Sequence, residues 1–137
     1  MAFEESPDTF WQRFSANAIP VEMLPVPYGC PLVEIITPIG VVYAFDRGAP
    51  PSPVGSVDVL IAATLENYRF HSDKKEIYPL NGGRTKLVGK VLRKLTENAY
   101  LFDVGIPIIV NSGEPLEVGS GLEITAAPPL MLFRKEA

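Results

Sequence analysis

The chain has 137 residues and a mass of 15.0 kDa, which suits one domain with its own core, residues 1–137. Hydrophobic residues make up 47% of the chain and charged residues 20%, and this excludes a wholly disordered protein. Twelve basic and sixteen acidic residues give a net charge of -4, which excludes a globally basic nucleic-acid binder. The 14 prolines disfavour long uninterrupted helices.

The first predicted element is an amphipathic helix over residues 6–17. Ser6 is a suitable N-cap, and Pro7 fits the first helical position. Three large apolar side chains form one stripe: Phe10, Trp11 and Phe14. We expect this stripe to dock on the protein's own core. The alternative is a partner-binding helix.

Residues 19–31 hold four prolines, so they are expected to form an extended arm that wraps across the surface. A β-rich body over 32–134 follows. Residues 32–36 and 41–45 are predicted strands around a turn at 38–40, because β-branched and aromatic residues dominate both segments. The aperiodic residues 47–55 are a predicted surface loop.

The segments 57–70 and 85–95 fit both a strand and a helix pattern, and the strand is favoured for each. A hairpin is expected between 57–70 and 76–80, with polar residues 71–75 at its tip. A second hairpin is expected between 85–95 and Tyr100–Val104. Four further short strands are predicted at 106–110, 116–118, 122–126 and 130–133, separated by glycine and proline turns.

Short strands separated by frequent turns predict a mostly β fold, a small barrel or sandwich with an N-terminal helix. The order of elements from Gly89 to Phe133 resembles an oligonucleotide/oligosaccharide-binding (OB) barrel. The resemblance covers about a third of the chain and carries no residue-specific motif. It therefore implies a shape and no activity.

Several kinds of chemistry lack their sequence signals. The one cysteine, Cys30, cannot form an intrachain disulfide, and this fits a cytoplasmic protein, as does an N-terminus without a signal-peptide pattern. One histidine and one cysteine cannot supply a zinc site of four soft ligands, so no metal is expected. His71 stands beside Ser72 and Asp73, where solvated turn residues are expected rather than a catalytic triad.

Cofactor loops are also not indicated, so no cofactor is expected. The glycines at 82–83 and 119–121 lack the spacing of phosphate or dinucleotide loops and are predicted to form turns. A pair of acids could serve a hydrolase or lyase, and the sequence favours no pair among four candidates: Asp103, Glu114, Glu117 and Glu123.

The one marked asymmetry of charge is a basic cluster within residues 84–94, where five of the twelve cations stand without an acid. Beside two aromatic residues it could form a stacking platform for single-stranded nucleic acid, with a candidate site of Lys86, Lys90, Arg93, Lys94, Tyr100 and Phe102.

The register of the second hairpin decides whether this platform exists. A three-residue turn at 96–98 would place Lys94 opposite Tyr100 on a basic and aromatic face. A two-residue turn at 97–98 would place Leu95 opposite Tyr100, Arg93 opposite Phe102 and Val91 opposite Val104, and would bury the rings. Burial is favoured, because exposing large apolar side chains costs about 1.5–3 kcal/mol each.

The sequence therefore indicates a non-catalytic binding or assembly protein, with a second copy or another protein as partner and no membrane. The first alternative is an OB-like protein that binds single-stranded nucleic acid. The second is a hydrolase or lyase that depends on carboxylates.

Overall fold

The computed structural model describes residues 6–25, 32–71 and 74–135. Strands hold 61% of the residues and helices 11%, so the predicted mostly β fold with one N-terminal helix is confirmed. The helical elements are α1 (Pro7–Phe14) and two 3-10 turns, Ser15–Asn17 and Asn81–Gly83. The strands are β1 (Ile19–Met23), β2 (Leu32–Thr37), β3 (Gly40–Asp46), β4 (Gly55–Phe70), β5 (Glu76–Pro79), β6 (Thr85–Thr96), β7 (Ala99–Asp103), β8 (Pro107–Asn111) and β9 (Gly121–Arg134).

The nine strands belong to one sheet whose pairings run in two rings. The first ring passes through β1, β2, β3, β9 and β4 and returns to β1. The second passes through β4, β8, β7, β6 and β9 and returns to β4. The two longest strands, β4 and β9, pair with each other and are common to both rings.

The main hydrophobic core is formed by side chains that alternate along the strands of both rings. A second apolar cluster lies on the opposite face of β4, β7, β8 and β9, where α1 covers it. The ring of Phe10 stacks on the ring of Phe133 with centroids 3.9 Å apart, and Phe14 is also buried. Trp11 packs against the same cluster. The prediction that the helix docks on the core is therefore confirmed, with Ser6 as its N-cap.

The predicted hairpin between 57–70 and 76–80 is wrong, although both segments are extended. β9 pairs with β4 from Val59 to Phe70, and β6 pairs with β9 from Thr85 to Lys90. β5 pairs with the other edge of β6, so β9 and β6 lie between β4 and β5. The turn of that hairpin is Asn81–Gly83, where two glycines adopt positive φ values of 76° and 77°.

The C-terminal prediction of three short strands is also corrected. Residues 116–118 form no strand, and the segments 122–126 and 130–133 belong to the single strand β9, which continues through Pro128 and Pro129. The register against β4 shifts between Ala62 and Thr64, opposite residues 128–130, and this irregularity accommodates the prolines.

The extended arm 19–31 begins as a strand rather than a surface wrap. β1 pairs with β4 along its whole length and with β2 at Glu22 and Met23, so it closes the first ring. The remainder of the arm, residues 26–31, lies outside the described residues.

The loop 47–54 is held by a buried ion pair. The Nε of Arg134 lies 3.0 Å from an oxygen of Asp46, and a further guanidinium nitrogen donates to the carbonyl of Ala49. Asp46 in turn accepts from the backbone N–H of Gly48 and from the hydroxyl of Ser52. The C-terminal end of β9 thus anchors the predicted surface loop.

The hairpin of β6 and β7 has the predicted two-residue turn at 97–98, and Thr96 lies opposite Ala99. Two register shifts then place Val91 opposite Phe102 and Lys94 opposite Tyr100, so the predicted strand partners are wrong. The predicted burial of both rings is nevertheless confirmed, because Tyr100 is 2% exposed and Phe102 is 0% exposed.

β6 lies very close to the β7 backbone at Gly89. A Cβ at this position would lie 1.9 Å from the carbonyl oxygen of Asp103, which is backbone and cannot move aside. We expect Gly89→Ala to lower the free energy of unfolding by about 2–3 kcal/mol, measured by urea denaturation. Gly113→Ala is the control, because a Cβ at that position would meet no atom within 4 Å beyond its chain neighbours. Equal stability of the two variants would contradict this packing.

Candidate functional site

The outward face of the β2–β3 hairpin is apolar and uncovered by the described residues. Along β3, Val42 and Ala44 point into the core, while the alternate residues point outward. Four large outward side chains of the hairpin are 37–55% exposed: Ile36, Val41, Tyr43 and Phe45. We call the outward residues Leu32, Glu34, Ile36, Val41, Tyr43 and Phe45 the hairpin face.

A cleft of about 250 Å³ adjoins the hairpin face. β3 forms one wall, β5 and the following turn form the other, and Pro129 and Leu130 of β9 contribute to the lining. The lining is mostly apolar: Leu32, Val41, Val42, Tyr43, Ile77, Tyr78, Pro79, Leu80, Gly83, Arg84, Thr85, Pro129 and Leu130. Mostly apolar clefts with a few polar groups are typical of binding sites.

One edge of β3 is free along the cleft. β2 takes the first edge from Gly40 to Phe45, while β9 meets the second edge only at Phe45 and Asp46. Residues 40–44 therefore have no strand partner on this second edge within the described parts of the chain. They also carry no charged side chain and no proline. Exposed edges usually carry such protection, so this edge is open to pairing with another chain.

The border of the hairpin face is acidic. Residues 14–46 contain no lysine or arginine. Glu34 lies within the face and accepts from the hydroxyl of Tyr43 at 3.5 Å. Glu22 is exposed on β1 and lies opposite Ile36. On the far side of the cleft, Arg84 is paired with Glu66 at 2.5 Å, so its charge is compensated.

The structure separates the predicted nucleic-acid site into three environments. Lys90, Arg93 and Lys94 are exposed on β6. Lys86 is partly buried and bonds to the hydroxyl of Thr125 at 3.0 Å, and its ammonium lies 3.5 Å from the carboxylate of Glu123.

Tyr100 and Phe102 point into the core, and the Tyr100 hydroxyl accepts from the backbone N–H of Leu116 at 3.1 Å. Both rings of the predicted platform are therefore buried in the core, and neither is exposed for stacking on a base.

Two of the four candidate acids are held in ion pairs. A hydrogen bond from Arg69 lowers the pKa of Glu123, and the ammonium of Lys86 acts in the same direction. The pKa of Asp103 is also lowered: its partial burial acts in the opposite direction, but hydrogen bonds from Lys75 and from the backbone N–H of Gly105 outweigh it. A general acid needs a raised pKa, so neither carboxyl group suits that role. Glu114 and Glu117 are exposed on the loop before β9.

The remaining sequence candidates add no site. His71 is partly buried, and its backbone N–H donates to the carbonyl of Gly121. Its neighbours Ser72 and Asp73, and also Cys30, lie outside the described residues. Within residues 6–25, 32–71 and 74–135, no group of three or more metal-ligating side chains is positioned to hold an ion.

No helix in those ranges has the length and apolar character that a membrane span requires.

Comparison with protein-family models, with curated proteins and with solved structures finds no match to this chain.

Sequence reasoning missed the hairpin face and the cleft. A signal for the face was present, because β3 is apolar at consecutive positions from Val41 to Phe45, as in a strand covered on both sides. The cleft had no such signal, since its two walls and its β9 residues come from segments far apart in the sequence.

The ion pair of Glu123 leads to a prediction about how the free energy of unfolding depends on pH. Because the pKa of Glu123 is lowered on folding, its ionised form stabilises the fold above the ordinary carboxyl pKa of about 4.3. This contribution is lost as the pH falls through the folded-state pKa. We expect Glu123→Gln to lose less stability than the wild type between about pH 5 and pH 3, measured by urea denaturation at each pH.

Glu117→Gln is the matched control and is expected to follow the wild type, because this acid is exposed on a loop. Identical acid sensitivity of Glu123→Gln and the wild type would contradict the assigned role of the ion pair.

Proposed function

We propose that the chain is a non-catalytic protein-binding protein whose binding surface is the hairpin face together with the adjoining cleft. The observation that carries the proposal is the row of Val41, Tyr43 and Phe45, which are 50%, 55% and 37% exposed. Each large apolar side chain contributes about 1.5–3 kcal/mol when it is fully removed from water. A contiguous exposed patch of such side chains marks an interaction surface in soluble proteins.

The free edge of β3 supports a particular mode of binding. An extended segment of a partner could add to this edge as a further strand, with its backbone bonded to residues 40–44. Alternate side chains of such a segment point to the same face, so one set would enter the cleft. Backbone pairing would supply affinity, and the cleft would select apolar side chains.

We further propose that the second ring is an OB-like barrel. It has five strands, and the meander of β6, β7 and β8 would correspond to the first three strands of that class. OB barrels bind oligonucleotides on the face of their second and third strands. Here the outward residues of β7 and β8 include Ala99, Leu101 and Ile109, which pack under α1. This covering supports a binding surface elsewhere on the molecule.

The two alternatives have weaker support. Nucleic-acid binding would rely on Lys90, Arg93 and Lys94 without an adjacent exposed aromatic ring from the predicted pair. Of the four acids that are candidates for carboxylate catalysis, Asp103 and Glu123 are held in ion pairs that favour the charged form.

Photocrosslinking tests the proposed surface directly. p-Benzoylphenylalanine is placed at position 43 and, as a control, at the exposed position 12 on α1. After irradiation of the cells that produce the protein, we expect covalent adducts with a protein from position 43 and background levels from position 12. Mass spectrometry identifies the attached chain. Equal adduct levels from the two positions, or no adduct from position 43, would contradict the proposal.

An oligonucleotide titration tests the first alternative. We expect fluorescently labelled single-stranded DNA to show no saturable binding at about 50 mM salt, because Tyr100 and Phe102 are buried. Tight binding that weakens steeply at about 200 mM salt would support the nucleic-acid alternative instead.

A further inference from the structure

A second exposed surface differs from the hairpin face in charge. The second half of β6 presents three exposed side chains, which we call the basic ridge: Lys90, Leu92 and Arg93. Lys94 is also exposed, but it lies opposite the inward-pointing Tyr100 and so belongs to the other face of the strand. A register shift between Val91 and Arg93 accompanies the exposure of Leu92, which is 44% exposed beside the two cations. The ridge therefore combines positive charge with a large apolar side chain.

The charges of the ridge are weakly compensated. Lys90 lies opposite Asp103, but the carboxylate of Asp103 is already paired with the ammonium of Lys75 at 2.7 Å. Arg93 donates to the side-chain oxygen of Asn17, which is a neutral partner. The positive charge remains available to another molecule.

The ridge also lies beside a free strand edge. Lys90 lies opposite both Asp103 of β7 and Gly121 of β9, so these two strands occupy opposite edges of β6. The pairing with β9 ends at Lys90, whereas the pairing with β7 continues to Thr96. Residues 92–96 therefore have no strand partner on the β9 side within the described ranges.

We propose that the hairpin face of one copy of the chain binds the basic ridge of a second copy. The proposal rests on the proposed function and names its partner. Glu22 and Glu34 would face Lys90 and Arg93, and Leu92 would pack against the exposed apolar row of β3. This is charge complementarity between the acidic segment 14–46 and the acid-free segment 84–94 of the same sequence.

The alternative contact between two hairpin faces is disfavoured by the same charges. It would bring Glu22 and Glu34 of one copy near the same acids of the other, and like charges in an interface oppose association. A contact between two unlike surfaces is heterologous. It leaves one surface of each type free at the ends, so the assembly either closes into a ring or grows as a chain.

Charge reversal tests the contact. One variant reverses the face (Glu22→Lys with Glu34→Lys), and another reverses the ridge (Lys90→Glu with Arg93→Glu). The control, Asp8→Lys with Glu114→Lys, matches the charge change of the face variant at exposed positions outside both surfaces. Association is measured by sedimentation velocity over a range of protein concentrations at about 50 mM and about 500 mM salt. Circular dichroism verifies the fold of each variant.

For the wild type and the control we expect oligomers that grow with concentration and dissociate at high salt. Each reversed variant alone is expected to associate at least about tenfold more weakly. An equimolar mixture of the two is expected to recover association, because each reversed surface then meets its complement. Recovery in the mixture also shows that both variants are folded, so a lost contact is distinguished from a disturbed fold.

A strict monomer at every concentration would overturn the proposal, as would oligomers that are insensitive to both variants or a mixture that does not recover. These outcomes are separate from failure of the proposed function. A monomer that still crosslinks from position 43 to a different protein overturns the second copy as partner and leaves the binding surface in place. Absence of both self-association and crosslinks overturns both proposals.

Discussion

The pairing of β4 with β9 is the constraint on which the rest of the structure depends. These strands contain 16 and 14 residues, and both rings use them. A strand common to two rings must be buried on both faces along part of its length. This explains why residues 59–63 are uniformly buried, with Ile61 in the main core and Leu60 under α1. Helix α1 is needed because β4 and β9 would otherwise expose the second of these faces.

The proposed binding surface follows from the same arrangement. On the edge of β9 that faces away from β4, β6 pairs up to Ala126 and β3 pairs only at Met131 and Leu132. β3 thus diverges from this edge, and the apolar cleft opens between β3 and β5, with Pro129 and Leu130 of β9 in its lining. The free edge of β3 and the cleft have one common cause. Two strands share one edge of β9, and neither of them pairs with residues 127–130.

Charge is distributed to match this geometry. The first ring contributes an apolar face with an acidic border, and β6 of the second ring carries exposed cations. Lysines and bulges on β6 are also the usual protection of an edge strand against uncontrolled pairing. β3 lacks that protection at residues 40–44. Of these two edges, only that of β3 lacks protection, and this favours selective over indiscriminate association.

Local patterns in the sequence determined much of the secondary structure. The cap at Ser6, the stripe of Phe10, Trp11 and Phe14, and the β-branched segments correctly predicted the helix and most strands. The burial of Tyr100 and Phe102 was also predictable, because exposing large rings costs more than exposing lysines.

Only the tertiary structure decided which strands pair. β4 does not pair with β5 because β9 and β6 lie between them, and this arrangement depends on residues distant in the sequence. The cleft is decided at the same level, since its walls meet only after both rings have closed. Periodicity specifies which face of a strand is apolar. It does not specify which neighbour covers that face, because the covering contact is long-range.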